Sequence, residues 1–438
     1  MKTPLGPSGR AWGVAALCAN LAFPGSTPSV ASAEQTANEL PVHTLVTEVL
    51  QKNPELAFYH AEIAAAKAGR KAAAKWKNPE ITAELGSKRA WERGGGGVLG
   101  DGLAWSVSVS QTIEFPGRIA LRKAIANHQV GLAELGLAQF RAALAGRVRV
   151  LAYAALAAQQ KADAAREVTD RYRAVTEALV QRDPAGPAAL LEVRILEAAT
   201  LTLNRRVSQA ERECQAALLE LNQLRGVPAA TPFRIQGRIQ TPTNLPPLAQ
   251  LLETAYTNNF ELRLRQAELE QQGFKVQLAR KDRYPEITLA PFYSSEKAAD
   301  EERIAGLGIS MPLPIWGTAN ATADVEQARF LQAEASLRAL ARQLERQITD
   351  RYLACQAKLD EISRWRPGSL DRFHEAAEIA DRHYRLGAVP LATYLEMQSS
   401  YLDALETLLA SQNEAAECRL DLERLVGQAD LPAVPQSN

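Results

Sequence analysis

Over most of the chain apolar residues return every three or four positions, the helical period, but in four short stretches they return every second position. In Leu103-Ala104-Trp105-Ser106-Val107-Ser108-Val109-Ser110 large apolar and small or polar residues alternate strictly. Ile81, Ala83 and Leu85 alternate with Glu80, Thr82 and Glu84, and Ile287 and Leu289 with Thr288 and Ala290. Ala305, Leu307, Ile309 and Met311 alternate with Gly306, Gly308 and Ser310. The pattern predicts strands over about 79–88, 103–114, 285–294 and 304–313. Segments of about ten residues with one apolar face fit strands of a membrane barrel. A soluble sheet with one wet face carries the same alternation.

The helical stretches are long. Periodicity runs over 41–77, and no proline interrupts the chain between Pro116 and Pro184, room for a helix of close to 100 Å at about 1.5 Å per residue. Leu337, Ala341, Leu344, Ile348 and Cys355 step as a coiled-coil seam, and Pro367-Gly368 predicts a break beyond it. Turns at Arg182–Pro187 and Arg385–Pro390 split each long run into an antiparallel α-hairpin, expected over 118–226 and 317–427.

These elements occur twice. Asn53-Pro54-Glu55-Leu56 lines up with Asn259-Phe260-Glu261-Leu262, and Pro79-Glu80-Ile81-Thr82 with Pro285-Glu286-Ile287-Thr288, both at an offset of 206. Over 53–82 the ungapped match has 11 identities in 30, more than shared composition explains. Further on, Gly117 matches Gly317 and Gly226 matches Gly427. The expected division is 34–227 and 248–427, joined by a proline-rich linker at 228–247 and followed by a tail at 428–438. Before the first repeat, Lys2 and Arg10 precede an apolar run, Ala11 to Phe23, and Ala31-Ser32-Ala33 has the form of a cleavage site. Residues 1–33 therefore read as an export signal.

Composition narrows the function. Fifty basic residues balance 50 acidic ones, which removes the electrostatic footprint of a nucleic-acid binder. Five His and four Cys stand scattered, without CxxC or HExxH spacing, so no metal site, cofactor or catalytic centre is expected. Gly94–Gly97 is a hairpin tip and not a phosphate loop, since no Gly-Lys-Ser/Thr follows it. Cys18 falls within the signal, and Cys214, Cys355 and Cys418 are expected as buried thiols. The most apolar helical stretch, Leu132–Ala158, holds Glu134, Arg141, Arg147 and Arg149, too many charges for a membrane span.

Duplicated halves, each with a β-hairpin at one end of a long α-hairpin, resemble the TolC-like outer membrane factor family. Asn53–Leu56, Ser110-Gln111-Thr112-Ile113-Glu114-Phe115-Pro116-Gly117-Arg118, and Tyr384–Gly387 through Thr393–Glu396 carry the resemblance, which covers nearly all of the mature chain. It implies a mainly α protein with a membrane β-barrel. In a homotrimer each chain would give four strands to a twelve-stranded outer-membrane barrel standing on a periplasmic α-helical barrel. Closure of this kind leaves no lipid-facing edge.

The implied function is passive: an exit duct of a Gram-negative outer membrane, joined to a periplasmic adaptor and an inner-membrane pump of the RND type. Gln111–Arg118 and the short tail look most like the cobalt-zinc-cadmium resistance branch. Type I secretion or drug efflux is the alternative, and a periplasmic scaffold or adaptor the reading from another class. The resemblance also implies sites. Gly186, Pro187, Gly387 and Pro390 form adaptor-docking tips. Glu396, Thr393 and Glu192, with Tyr384 and Arg385, are gate candidates, although Thr393 stands where the family has an acidic residue. The alternation itself puts Trp105, Val107 and Val109 toward lipid and Ser106, Ser108 and Ser110 toward water.

Overall fold

A computed structural model describes residues 38–428 apart from 95, 182–186, 242–243, 314, 316 and 367. The expected signal with Cys18, the tip glycine Gly186 and the tail from 429 onward lie outside the described residues, as do Pro314, Trp316 and Pro367. The first repeat runs β1 (Asn38–Pro41), α1 (Val42–Lys52), α2 (Leu56–Ala73), β2 (Glu80–Trp91), β3 (Val98–Ile113), α3 (Arg118–Gln181), α4 (Pro187–Arg225) and β4 (Phe233–Gln236). The second runs α5 (Leu248–Asn258), α6 (Phe260–Lys281), β5 (Ile287–Lys297), β6 (Glu301–Ser310), α7 (Thr318–Ser363), α8 (Ser369–Arg385) and α9 (Leu391–Val426).

The helical stretch expected over 41–77 is two helices. Asn53 leaves the helical region at ψ 125°, and Asn259 does the same at ψ 123° between α5 and α6. Each side-chain oxygen accepts from a backbone N–H at the entry to the next helix, Glu55 just before α2 at 2.9 Å and Leu262 in α6 at 2.8 Å. Each amide nitrogen donates across the fold to a carbonyl in the last turn of the returning helix, Leu224 at 2.9 Å and Leu425 at 2.7 Å. Both asparagines are buried. The returning helices stop at Gly226 and Gly427, both with positive φ. A Cβ on Gly427 would fall 2.2 Å from the Asn258 carbonyl oxygen, so only glycine lets the helix end approach so closely. The identities that reveal the duplication are thus one lock, built twice.

The four long strands form one antiparallel sheet in the order β2-β3-β5-β6. Its register aligns Ile81 with Val109, Ala83 with Val107 and Leu85 with Trp105, then Val107 with Tyr293 and Leu289 with Ile309. Most large apolar side chains therefore share one face across four strands, with Phe292 and Ile304 on the other, and the shared face is exposed: Trp105 is 37%, Val107 39% and Val109 42% accessible. Thr82, Ser108, Thr112, Thr288 and Gly308 fall on the other face. β2 and β3 run beyond the expected strand ends at 88 and 103 toward the hairpin tip, to Trp91 and from Val98.

α3 is 64 residues long and lies antiparallel to α4; α9 packs on α7 and α8 and meets α3, which joins the two hairpins. Alanines fill much of the α3 seam, among them Ala152, Ala155 and Ala158. Around the level of the linker Leu45, Val49, Val148 and Leu221 form one core with Phe233 and Ile235 of β4. β4 pairs in parallel with β1, Asn38 beside Phe233, so the linker is fastened to the start of the first repeat. Among the described residues no helix is long and apolar enough to cross a membrane.

Two cysteine expectations are corrected. Cys355 and Cys418 are not thiols; they form a disulfide between α7 and α9, with Cα atoms 5.5 Å apart. Both lie on the buried seam between antiparallel helices, which brings positions 63 residues apart to bonding distance. Cys214 is free and half-buried.

Candidate gate, tips and membrane face

The second tip is built by a helix stop. Gly387 takes φ +75°, the Ala388 N–H donates to the His383 carbonyl, and the Gly387 N–H to that of Tyr384, both at 2.9 Å. This left-handed closure satisfies carbonyls that α8 would otherwise leave unpaired. Pro390 then precedes α9 in extended conformation, and the turn projects Leu386, Gly387 and Ala388 into solvent. Nothing lies within 4 Å of a Cβ placed on Gly387. At the first tip, Pro187 is the first residue of α4.

Just inside the tips, one hydrogen bond links the two hairpins. The Tyr384 hydroxyl on α8 donates to Glu192 Oε2 on α4 at 3.2 Å. Burial, with the Glu192 charge beside it, pushes the Tyr384 hydroxyl up to about 12. Arg385 does not share in that tie within the chain. Its guanidinium turns back one helical turn to Asp381, at 2.9 and 3.3 Å, because the i−4 carboxylate is the nearer partner. Glu396 and Thr393 lie three residues apart on an exposed face of α9, and among the described residues Glu396 has no hydrogen-bond or ion-pair partner.

Sequence reasoning missed what holds this region rigid. Tyr394 of α9 is fully buried; Tyr384 stacks on it with centroids 5.0 Å apart, and Tyr172 of α3 meets it at 5.5 Å. The three rings join α3, α8 and α9 beneath the tips. Tyr384 was a candidate on other grounds, but its stacking on Tyr394 had no signal in the sequence, since the partners come from different helices.

The Gln111–Arg118 phrase is a joint between sheet and helix. Gln111 donates to the Lys77 carbonyl at 3.0 Å, and Thr112 and Thr288 hydroxyls meet at 3.1 Å across β3 and β5. Phe115 stacks on Tyr284 with centroids 4.3 Å apart. Gly117 turns at φ +89°, and Arg118 opens α3 while pairing with Asp282 and Glu286 from the segment between α6 and β5.

The architecture is a duplicated α-hairpin, each copy carrying a β-hairpin at one end, the two β-hairpins forming one sheet that is largely apolar on one face and whose edge strands have no partner among the described residues. The model of the outer membrane efflux protein family matches residues 45–227 and again 251–428, and the chain belongs to that family. It is accordingly a passive conduit of the outer membrane with a large helical periplasmic part, not an enzyme. Among characterised relatives it is similar to the pyoverdine export outer membrane protein OpmQ of Pseudomonas aeruginosa, 26% identical over 406 residues that cover 86% of this chain and 81% of that one. Its fold is similar to the CmeC outer membrane channel of Campylobacter jejuni, with a TM-score of 0.70 and 16% identity over 93% and 94% of the two chains. It is also similar to the open state of the MtrE channel of Neisseria gonorrhoeae, with a TM-score of 0.65 and 16% identity over 89% of each.

Proposed function

We propose that this chain is the outer-membrane component of a tripartite export system, three copies forming one continuous duct. The observation that carries the reading is the four-stranded sheet: the middle of one face carries exposed apolar side chains, among them Ile81, Leu85, Val107, Val109, Leu307 and Ile309, and neither edge strand has a partner among the described residues. Twelve strands from three copies satisfy those edges and surround a lumen lined by Ser106, Ser108, Thr288 and Gly308. At the far end, the Gly387 turn and the loop before Pro187 dock a periplasmic adaptor, which links the duct to an inner-membrane pump. Glu396 stands at the mouth as a ring of three carboxylates that favours cations, and the Tyr384–Glu192 bond holds the mouth narrow.

The cargo reading favours small organic molecules or secreted products over heavy-metal cations. A relative named for pyoverdine export supports this. The phrase Gln111–Arg118 resembles a cobalt-zinc-cadmium branch, yet its contacts to Lys77, Thr288, Tyr284 and Glu286 belong to the sheet–helix joint. Deleting the gene and comparing tolerance to dyes and detergents with tolerance to zinc, cobalt and cadmium tests the choice. Sensitivity to the metals alone would restore the heavy-metal reading. Fractionation tests the duct itself: heat-modifiable trimers in the outer membrane are expected, and a soluble periplasmic monomer would refute it. Single-channel recording tests the gate, where Glu396→Gln is expected to lower cation preference.

A further inference from the structure

The ladder between β3 and β5 stops short of the hairpin tips. Its last pair is Ala104 with Glu296, although β3 continues outward to Val98, paired with β2 as far as Trp91. Beyond that pair β5 leaves the plane of the sheet. A Cβ placed on Gly100 would lie 2.6 Å from the Ala298 carbonyl oxygen and 2.7 Å from the Ala299 nitrogen, and one on Gly102 would strike the Lys297 carbonyl. Counting by twos from Ser108, both glycines fall on the face opposite Trp105 and Val107. The turn from β5 to β6, closed by the Ala298 N–H donating to the Asp300 carbonyl at 3.1 Å, therefore lies on top of β3. It fills the space that two side chains would take, an approach that only glycine allows.

A side chain crosses the same face beside the turn. Lys88 of β2, opposite Gly102, reaches past β3 to Glu296 and Glu302, 2.7 and 2.9 Å from its Nζ. It can do so because Gly102 and Ala104 raise nothing tall between them. The cover is local to the tip end of the sheet. Gly86, one alternation from Lys88 on the same strand and face, has nothing within 4 Å of a placed Cβ.

We propose that this turn is a size filter at the outer mouth of the duct, where one turn from each copy leans over the lumen, passes small molecules and holds back polypeptides. The inference rests on the trimeric barrel proposed above, which makes the Ser and Thr face the lumen wall, and it narrows the cargo to small molecules. Backbone packed on backbone fixes the filter. The exposed ion pairs of Lys88 only line it, so salt that screens them leaves it in place. A Cβ at Gly100 or Gly102 would have no room, and the turn would have to lift.

The test is thiol labelling from outside whole cells that carry the full chain with Ser108→Cys, on the lumen wall below the turn, and Cys214→Ser. A small thiosulfonate is compared with a maleimide on a long poly(ethylene glycol) chain. The small reagent is expected to label position 108 and the large one to be excluded. Gly102→Val should abolish the exclusion, while Gly86→Val, on the same face in open space, should keep it. Labelling by both reagents before any glycine is changed, or exclusion that survives Gly102→Val in heat-modifiable trimers, overturns the filter and leaves the duct standing. Failure of the small reagent to label position 108 in such trimers overturns the lumen placement, and the filter with it. If Gly102→Val does not assemble, Gly100→Ala gives the same reading with a smaller intrusion.

Discussion

At the scale of single residues, the buried asparagines have the clearest consequences. Asn259 caps α6 and donates to Leu425, so Asn259→Ala orphans a carbonyl and loses a cap. The expected cost is about 1–3 kcal/mol, and Asn53→Ala should cost a similar amount because it makes the same cross-fold bond. Thermal unfolding of the two variants side by side checks this; a neutral change at either position would show that the lock carries no load there. Tyr384 gives a prediction with a sign. Its hydroxyl is raised from 10.0 to about 12 in the fold, so the neutral form is favoured and its contribution is whole below pH 10. Stability is then expected to fall as pH rises from 10 toward 12, and less so in Tyr384→Phe, followed by tyrosinate absorbance together with helical signal. These residues were unevenly legible. Asn53 and Asn259 stood out because they repeat at a fixed offset. Tyr394 did not, because its partners come from other helices and no spacing within one helix announces them.

At the scale of elements, periodicity foretold strands and long helices, and failed where a contact rather than a pattern decides. The break at Asn53 lies inside a run with helical spacing; Pro54 disfavours the helical region for the residue before it, and the bond to Leu224 fixes the break in place. β1 and β4 are four residues each, too short for alternation to show, and their pairing spans the whole first repeat. The disulfide was missed for the same reason: two cysteines 63 residues apart reveal nothing until α7 and α9 are set side by side. Replacing both Cys355 and Cys418 by Ser is expected to cost about 2–5 kcal/mol, given the loop length they close. A melting temperature unchanged under non-reducing conditions would contradict that. The sheet yields a paired test of its two faces. Val107→Arg on the apolar face should impair membrane assembly by up to about 2–4 kcal/mol, while Ser108→Arg on the opposite face should be tolerated. Equal tolerance, read from the yield of heat-modifiable oligomer, would show that the register or the membrane placement is wrong.

At the scale of the whole molecule, the outer edges of the sheet set the terms. β2 and β6 are 12 and 10 residues long, and among the described residues each offers a row of backbone donors and acceptors to no one. Such edges on an apolar sheet recruit other chains; with identical copies as the recruits, as proposed above, folding becomes a reaction of higher than first order. Dilution should therefore lower the apparent melting temperature, and a value that stays flat over a hundredfold change in concentration, roughly 3 kcal/mol of mass action per released partner, would mean that a single chain closes on itself. Kinetically the same edges impose a waiting time. In the proposed trimer a new copy would stay unfinished until it meets its fellows, so the rate of synthesis, and not the sequence alone, would decide how much of this protein reaches its working form.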